Sequence, residues 1–118
     1  MEAVSKNERA VAQLTAQQIH IAATSAEAIP PAQAPGDVRL LAVADDGSVA
    51  FAEGILGWLF VYVREDGEWR RKMLGKLPGI SSLEWDESQT PPDLLAHSPF
   101  GRFRLYRWTN GWQRRRIG

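Results

Sequence analysis

Two stretches decide the reading of this chain: GWLFVYVREDGEWRRKMLG, residues 57–75, and GRFRLYRWTNGWQRRRIG, residues 101–118. Aligned on Gly57 and Gly101, Tyr62 falls on Tyr106. One residue deleted at the turn then brings Trp69 onto Trp112 and Gly75 onto Gly118. Upstream, Val49-Ala50-Phe51-Ala52 falls on Asp93-Leu94-Leu95-Ala96, and Leu41–Ala44 roughly on Leu83–Asp86. Both copies are short runs rich in Val, Leu, Phe, Tyr and Trp. They are punctuated by Asp46-Gly47, Asp66-Gly67 and Asn110-Gly111, dipeptides that supply the positive φ of hairpin turns. Residues 38–118 are therefore expected to be antiparallel β, in two four-stranded units of about 38–75 and 80–118.

The N-terminal part reads differently. Ser5-Lys6-Asn7-Glu8 has the form of a capping box, and Ala10, Leu14, Gln17 and Ile21 follow at helical spacing. A helix is expected within residues 1–28, with a narrow apolar stripe that makes it marginal alone. The run IPPAQAPG, residues 29–36, reads as a semi-rigid linker over 29–37, because proline removes donors and pushes its predecessor toward extended geometry.

Four antiparallel strands per unit is the period of a propeller blade. The second copy, LEWDESQTPPDLLAHSPFGRFRLYRWTNGWQ, resembles the FG-GAP and VCBS-type blades: a strand, an aspartate-rich turn, an Asp-Leu-Leu strand and a Gly-x-x-x-x-Tyr strand. The matching residues are Asp86, Asp93, Leu94, Leu95, Gly101, Leu105 and Tyr106. The resemblance implies a mainly β fold of two propeller-blade-like repeats behind the N-terminal α-helix. Blades of that family hold calcium with alternating aspartates and glycines. Residues 86–92 lack that alternation and the first copy offers only Asp45-Asp46-Gly47, so no calcium and no other cofactor is expected. The series Arg104, Trp108, Gly111, Trp112 is also similar to the two-bladed fucose lectins, whose short chains trimerise into a six-bladed ring. This chain has Leu105 where that family's sugar-binding glutamate stands. A hairpin-rich sandwich is the alternative architecture.

Side chains alternate across a strand. Residues 101–108 thus divide into Phe103/Leu105/Arg107 and Arg102/Arg104/Tyr106, and the matching stretch into Leu59/Val61/Val63 and Trp58/Phe60/Tyr62. Blades stack face on opposite face. The junction expected is Trp58/Phe60/Tyr62 against Phe103/Leu105, since the alternative buries unpaired arginines. Leu59, Val61 and Val63 are then left on an outer apolar face that needs a cover. The N-terminal helix, a second copy or another protein could supply it.

The 14 basic and 14 acidic residues cancel, which disfavours a general attraction to nucleic acid. Locally, residues 99–118 hold Arg102, Arg104, Arg107, Arg114, Arg115 and Arg116 and no acidic residue. Arg70-Arg71-Lys72 in the first copy matches Arg114–Arg116, which favours solvated edge strands over a phosphate-binding patch. Trp69 and Trp112 recur and read as core. Trp108, aligned with Arg64, reads as a contact residue.

No cysteine is present, which removes thiolate chemistry, disulfides and cysteine-held zinc. His20 and His97 suggest no metal cluster. His97 with Ser98 and Asp93 superficially resembles a catalytic triad, but strand neighbours point to opposite faces and cannot form the relay. No phosphate-binding glycine loop appears. No apolar run of about 18 residues is present to span a membrane. The charged residues near the N-terminus argue against a signal peptide, so a cytoplasmic location is expected.

These features point to a non-catalytic binding or assembly protein working through protein–protein contacts in an oligomer or complex. Its candidate residues are Leu59, Val61 and Val63 on the apolar face, and Arg102, Arg104, Trp108, Arg114, Arg115 and Arg116 as basic and aromatic contacts. A lectin-like glycan binder and a nucleic-acid-associated protein using the C-terminal arginines are the alternatives.

Overall fold

Alternation with a period of two runs through the N-terminal residues and decides their structure. In the computed structural model, which describes every residue except Pro35 and Asn110, Ala10, Ala12, Ile19 and Ile21 are buried. Val11, Gln13, His20 and Ala22 between them are exposed. Strands β1 (Glu2–Val4), β2 (Ala10–Thr15), β3 (Gln18–Ala23) and β4 (Ala32–Gln33) form an antiparallel sheet in that order.

The helix expected within residues 1–28 does not form. Two strands can each bury a complete face, whereas the helical stripe was interrupted at Gln17. The capping-box residues shape a turn instead. The Ser5 hydroxyl oxygen accepts from the amides of Arg9 (2.9 Å) and Ala10 (3.0 Å), and Glu8 is left-handed with φ 57°. Ala16 and Gln17, φ 48° and 68°, turn the next hairpin without the glycine or asparagine that usually signals one.

The expected linker contributes β4 to the same sheet. Ala32 and Ala34 are buried, the Pro30 carbonyl accepts from the Tyr62 hydroxyl (2.8 Å), and the Gln33 carbonyl accepts from Arg71 (2.9 Å).

From residue 38 onward the antiparallel expectation holds. Strands β5 (Val38–Val43), β6 (Val49–Glu53), β7 (Trp58–Glu65) and β8 (Glu68–Lys76) form a second sheet. Strands β9 (Ser82–Asp86), β10 (Asp93–Ser98), β11 (Gly101–Trp108) and β12 (Gly111–Arg116) form a third. Asp66 and Gly67 are both left-handed (φ 51° and 80°), as the tight β7–β8 turn requires. Gly47 is left-handed in a longer loop that Ala44 and Ser48 close by backbone hydrogen bonds. The Asn110-Gly111 turn involves Asn110, outside the described residues.

The architecture is thus three four-stranded antiparallel sheets with no helix among the described residues. This corrects the expectation of two propeller blades behind a helix.

The second sheet lies in the middle, with one core on each side. Toward the first sheet, Val49, Phe51, Phe60 and Tyr62 meet Ala10, Ala12, Ile19 and Ile21. Phe51 stacks on Phe60 with centroids 5.1 Å apart, and Tyr62 on Trp69 at 5.5 Å. Toward the third sheet, Leu59, Val61 and Val63 meet Trp85, Leu94 and Leu105.

The first strands of the sheets, β1, β5 and β9, run as neighbours, and polar bonds link their turns. Asn7 Nδ2 donates to Asp45 Oδ2 (2.6 Å), the Asp45 amide donates to Glu87 Oε2 (2.7 Å), and Trp85 Nε1 donates to the Ala42 carbonyl (3.2 Å).

The expected junction is overturned. Leu59, Val61 and Val63, not Trp58, Phe60 and Tyr62, pack against Phe103 and Leu105. The cause is a one-residue slip in aligning the copies. Two residues separate β7 from β8 and two separate β11 from β12, so no residue is missing there. The length difference lies upstream, where Gly54–Gly57 joins β6 to β7 but only Pro99-Phe100 joins β10 to β11. With the gap moved, Arg64 matches Arg107, each opposite its tryptophan (Trp69, Trp112), and Tyr62 matches Leu105. A slip of one residue exchanges the faces of a strand.

The corrected pairing places Arg107 between sheets, its guanidinium 5.3 Å from the Trp112 ring centroid. Arg107 Nε and Nη2 and Trp112 Nε1 have no hydrogen-bond partner among the described residues.

Candidate functional site: the outer face of the third sheet

The third sheet ends the stack, so among the described residues one of its faces has no sheet over it. Pairing puts Leu95 beside Arg104, His97 beside Arg102, and Arg104 beside Arg115, with Tyr106 and Trp108 continuing along β11. The end of this face is a groove of about 310 Å³ lined by Ser82, Glu84, Leu95, His97, Arg102 and Ile117. At its other end Trp108 is 61% exposed and meets Tyr106 edge-on, with centroids 6.3 Å apart. The Arg115 guanidinium lies 5.9 Å from the Tyr106 ring centroid.

Charge on this face is not uniform. Arg104 Nη1 bonds Asp86 Oδ2 at 2.8 Å and Asp93 Oδ2 at 3.0 Å, with all three side chains largely shielded from solvent. Asp86 also accepts from the Ser88 hydroxyl (2.5 Å) and amide (3.0 Å). The Ser88 hydroxyl, then Arg104, then the Ser88 amide hold the Asp86 carboxyl at about 2, below its ordinary 3.8.

Because the folded value lies below the unfolded one, the Asp86 carboxylate stabilises the fold above about pH 4. That contribution is lost as pH falls to about 2. Acid unfolding followed by circular dichroism should contain this component, and Asp86→Asn should remove it. An unchanged acid limb in the variant would show that the pair contributes nothing.

The sequence candidates separate here. Arg102, Arg104, Trp108 and Arg115 share the outer face. Arg114 does not: it donates to the carbonyls of Lys76 (3.1 Å) and Leu74 (3.3 Å), tying β12 to β8. Arg116 Nε donates to the Gly118 carbonyl (3.2 Å). Strands β8 and β12 are the edges of their sheets, so Arg70–Lys72 and Arg114–Arg116 occupy edge strands.

Leu59, Val61 and Val63 are all 0% exposed. The face that needed a cover has one, the third sheet of the same chain. Leu95, His97 and Ile117 complete the outer face. Their signal was alternation within β10 and its register against Arg102 and Arg104.

His97 is exposed while Ser98 is buried, its hydroxyl oxygen accepting from the Phe100 amide (3.1 Å), and Asp93 is held by Arg104, so these three do not meet. His20 lies on the first sheet, and among the described residues no group of three or more acidic or histidine side chains is placed to hold a metal ion.

No family model, no curated protein and no solved structure matches the chain. The resemblance to FG-GAP and VCBS-type blades, and with it the likeness to two-bladed fucose lectins, is therefore set aside, since the sheet count also contradicts it.

Proposed function

We propose that the protein is a non-catalytic binding subunit that engages another protein through the outer face of its third sheet. One observation carries this reading: Tyr106, Trp108, Leu95 and Ile117 lie among Arg102 and Arg115 on a sheet face that no other element covers among the described residues. Aromatic residues and arginine are the types enriched at protein interfaces and at their energetic centres.

The same face disfavours a phosphate backbone as ligand. Asp86, Asp93 and Glu84 share it, Arg104 is engaged internally, and Arg114 is turned toward the second sheet. A glycan platform would pair stacked aromatics with polar groups in each sheet, whereas Tyr62 and Trp69 are packed toward the first sheet.

Affinity capture with the wild-type chain beside a Trp108→Ala/Arg115→Glu variant tests the proposal. A protein partner held by the wild type and lost, by tenfold or more as an order-of-magnitude expectation for a Trp and Arg contact centre, with the variant's melting temperature unchanged, is the expected result. Loss of the captured material on nuclease treatment, or selective glycan-array binding that the variant loses, would assign the face to another ligand class.

A further inference from the structure

We infer a second surface, at the opposite end of the strands from the Asn7–Asp45–Glu87 turns, that docks on anionic lipid bilayers. Strand direction brings three connections to this end: the β6–β7 loop (Gly54–Gly57), the segment between β8 and β9 (Leu77–Ser81), and the β10–β11 turn (Pro99-Phe100).

They form one continuous row. A methyl group built on Gly57 would lie 3.2 Å from Ile80 Cγ2 and 2.2 Å from the Leu77 carbonyl, and one on Gly79 would lie 3.0 Å from Pro99 Cδ. Gly57 and Gly79 are also left-handed, φ 63° and 73°, so close approach and backbone conformation both call for glycine there.

This row displays large apolar side chains at its tips. Ile55 is 77% exposed, Leu56 50% and Phe100 62%. Exposed large apolar residues are ordinary when isolated, but a cluster on adjoining loops marks an interaction site. Ordered loop tips that project aliphatic and aromatic side chains suit insertion into the interfacial region of a membrane, where such groups leave water without a shaped pocket to receive them.

Charge selects the bilayer. Lys76, Arg102, Arg114 and Arg116 stand around the row, and residues 76–81, 98–102 and 111–118 contain no acidic residue. Lys76 Nζ lies 5.2 Å from the Trp58 ring centroid, and Arg114 bonds the Lys76 carbonyl, so the cations flank the apolar tips. Of the nearby carboxylates, Glu53 has Oε1 buried and Asp37 is paired with Arg39 at 3.0 Å. Basic residues beside inserting apolar tips are what an anionic headgroup layer attracts. Among the described residues no helix is long and apolar enough to cross a membrane. The contact proposed is peripheral.

Co-sedimentation of the full chain with vesicles of phosphatidylcholine alone and of a phosphatidylcholine–phosphatidylserine mixture tests this. Binding to the mixed vesicles should exceed binding to the neutral ones and should weaken as salt is raised. Leu56→Ser/Phe100→Ser and, separately, Lys76→Glu/Arg116→Glu should each lower affinity for the mixed vesicles about tenfold or more. Trp108→Ala, on the other surface, should leave it unchanged.

The substituted tips are mostly in water, and melting curves for each variant check that folding is retained. No binding to mixed vesicles would overturn the inference, as would affinities indifferent to both pairs of substitutions. A wild-type dimer in light scattering that the tip substitutions convert to monomer would assign the row to self-association and also overturn it.

Discussion

Replacing Val61 by aspartate is expected to unfold the protein. Val61 is fully buried between the second and third sheets, among Ala50, Leu59, Leu94 and Leu105, and the cation opposite it on β8, Lys72, is already paired with Glu65 at 2.7 Å. A lone carboxylate there loses its hydration without compensation, a cost of about 3–5 kcal/mol. The total stability of a domain this size is about 5–15 kcal/mol. Leu59→Ala, which adds no charge, should cost about 2–5 kcal/mol through lost burial and the cavity left behind. Thermal or urea denaturation followed by circular dichroism measures both. A well-folded Val61→Asp protein with an ordinary melting temperature would mean that this face is open, available to an external partner, and that the third sheet does not cover it.

Removing residues 1–36 is expected to leave a protein that aggregates. Those residues form the first sheet, which covers Val49, Phe51, Phe60, Tyr62 and Trp69 of the second. Each large side chain returned to water forfeits about 1.5–3 kcal/mol. The exposed surface is a contiguous aromatic face flanked by strand edges, an arrangement prone to association. Tyr62 would also lose its acceptor at Pro30, and Arg71 its acceptor at Gln33. Size-exclusion chromatography with light scattering decides the matter. A truncated chain that stays soluble and monomeric would show that the first sheet is dispensable to the core of the other two.

Much of the β architecture beyond residue 38 was legible. Asp66-Gly67 marked a hairpin because aspartate and glycine are among the few residues that accept the left-handed conformation such turns impose, and both residues adopt it. Trp69 and Trp112 were legible as core, and both pack toward the preceding sheet.

The N-terminal sheet was not legible. Its turn at Ala16-Gln17 uses residues with no turn preference, and the buried face of β2 is carried by Ala10 and Ala12, whose intrinsic preference is for helix over strand. Ser5 and Glu8 have the same spacing in a capping box and in the β1–β2 turn, where the serine oxygen again serves free amides. Of the outer face, Arg102, Arg104, Trp108 and Arg115 could be named in advance. Their division from Arg114 and Arg116 could not, because it depends on strand register.

By itself, the sequence determined that two units of four short antiparallel strands follow residue 38, that arginine gathers near residues 102–116, and that a strongly apolar strand, WLFVYV, must be covered on both faces. Only the tertiary structure decided what covers them. Residues 1–34 take one side and the third sheet the other, because which sheet each face of the strand meets is set by contacts between segments far apart in the chain. Side-chain alternation is local, but the faces that meet are set by how the sheets stack, and only the packed sheets record that.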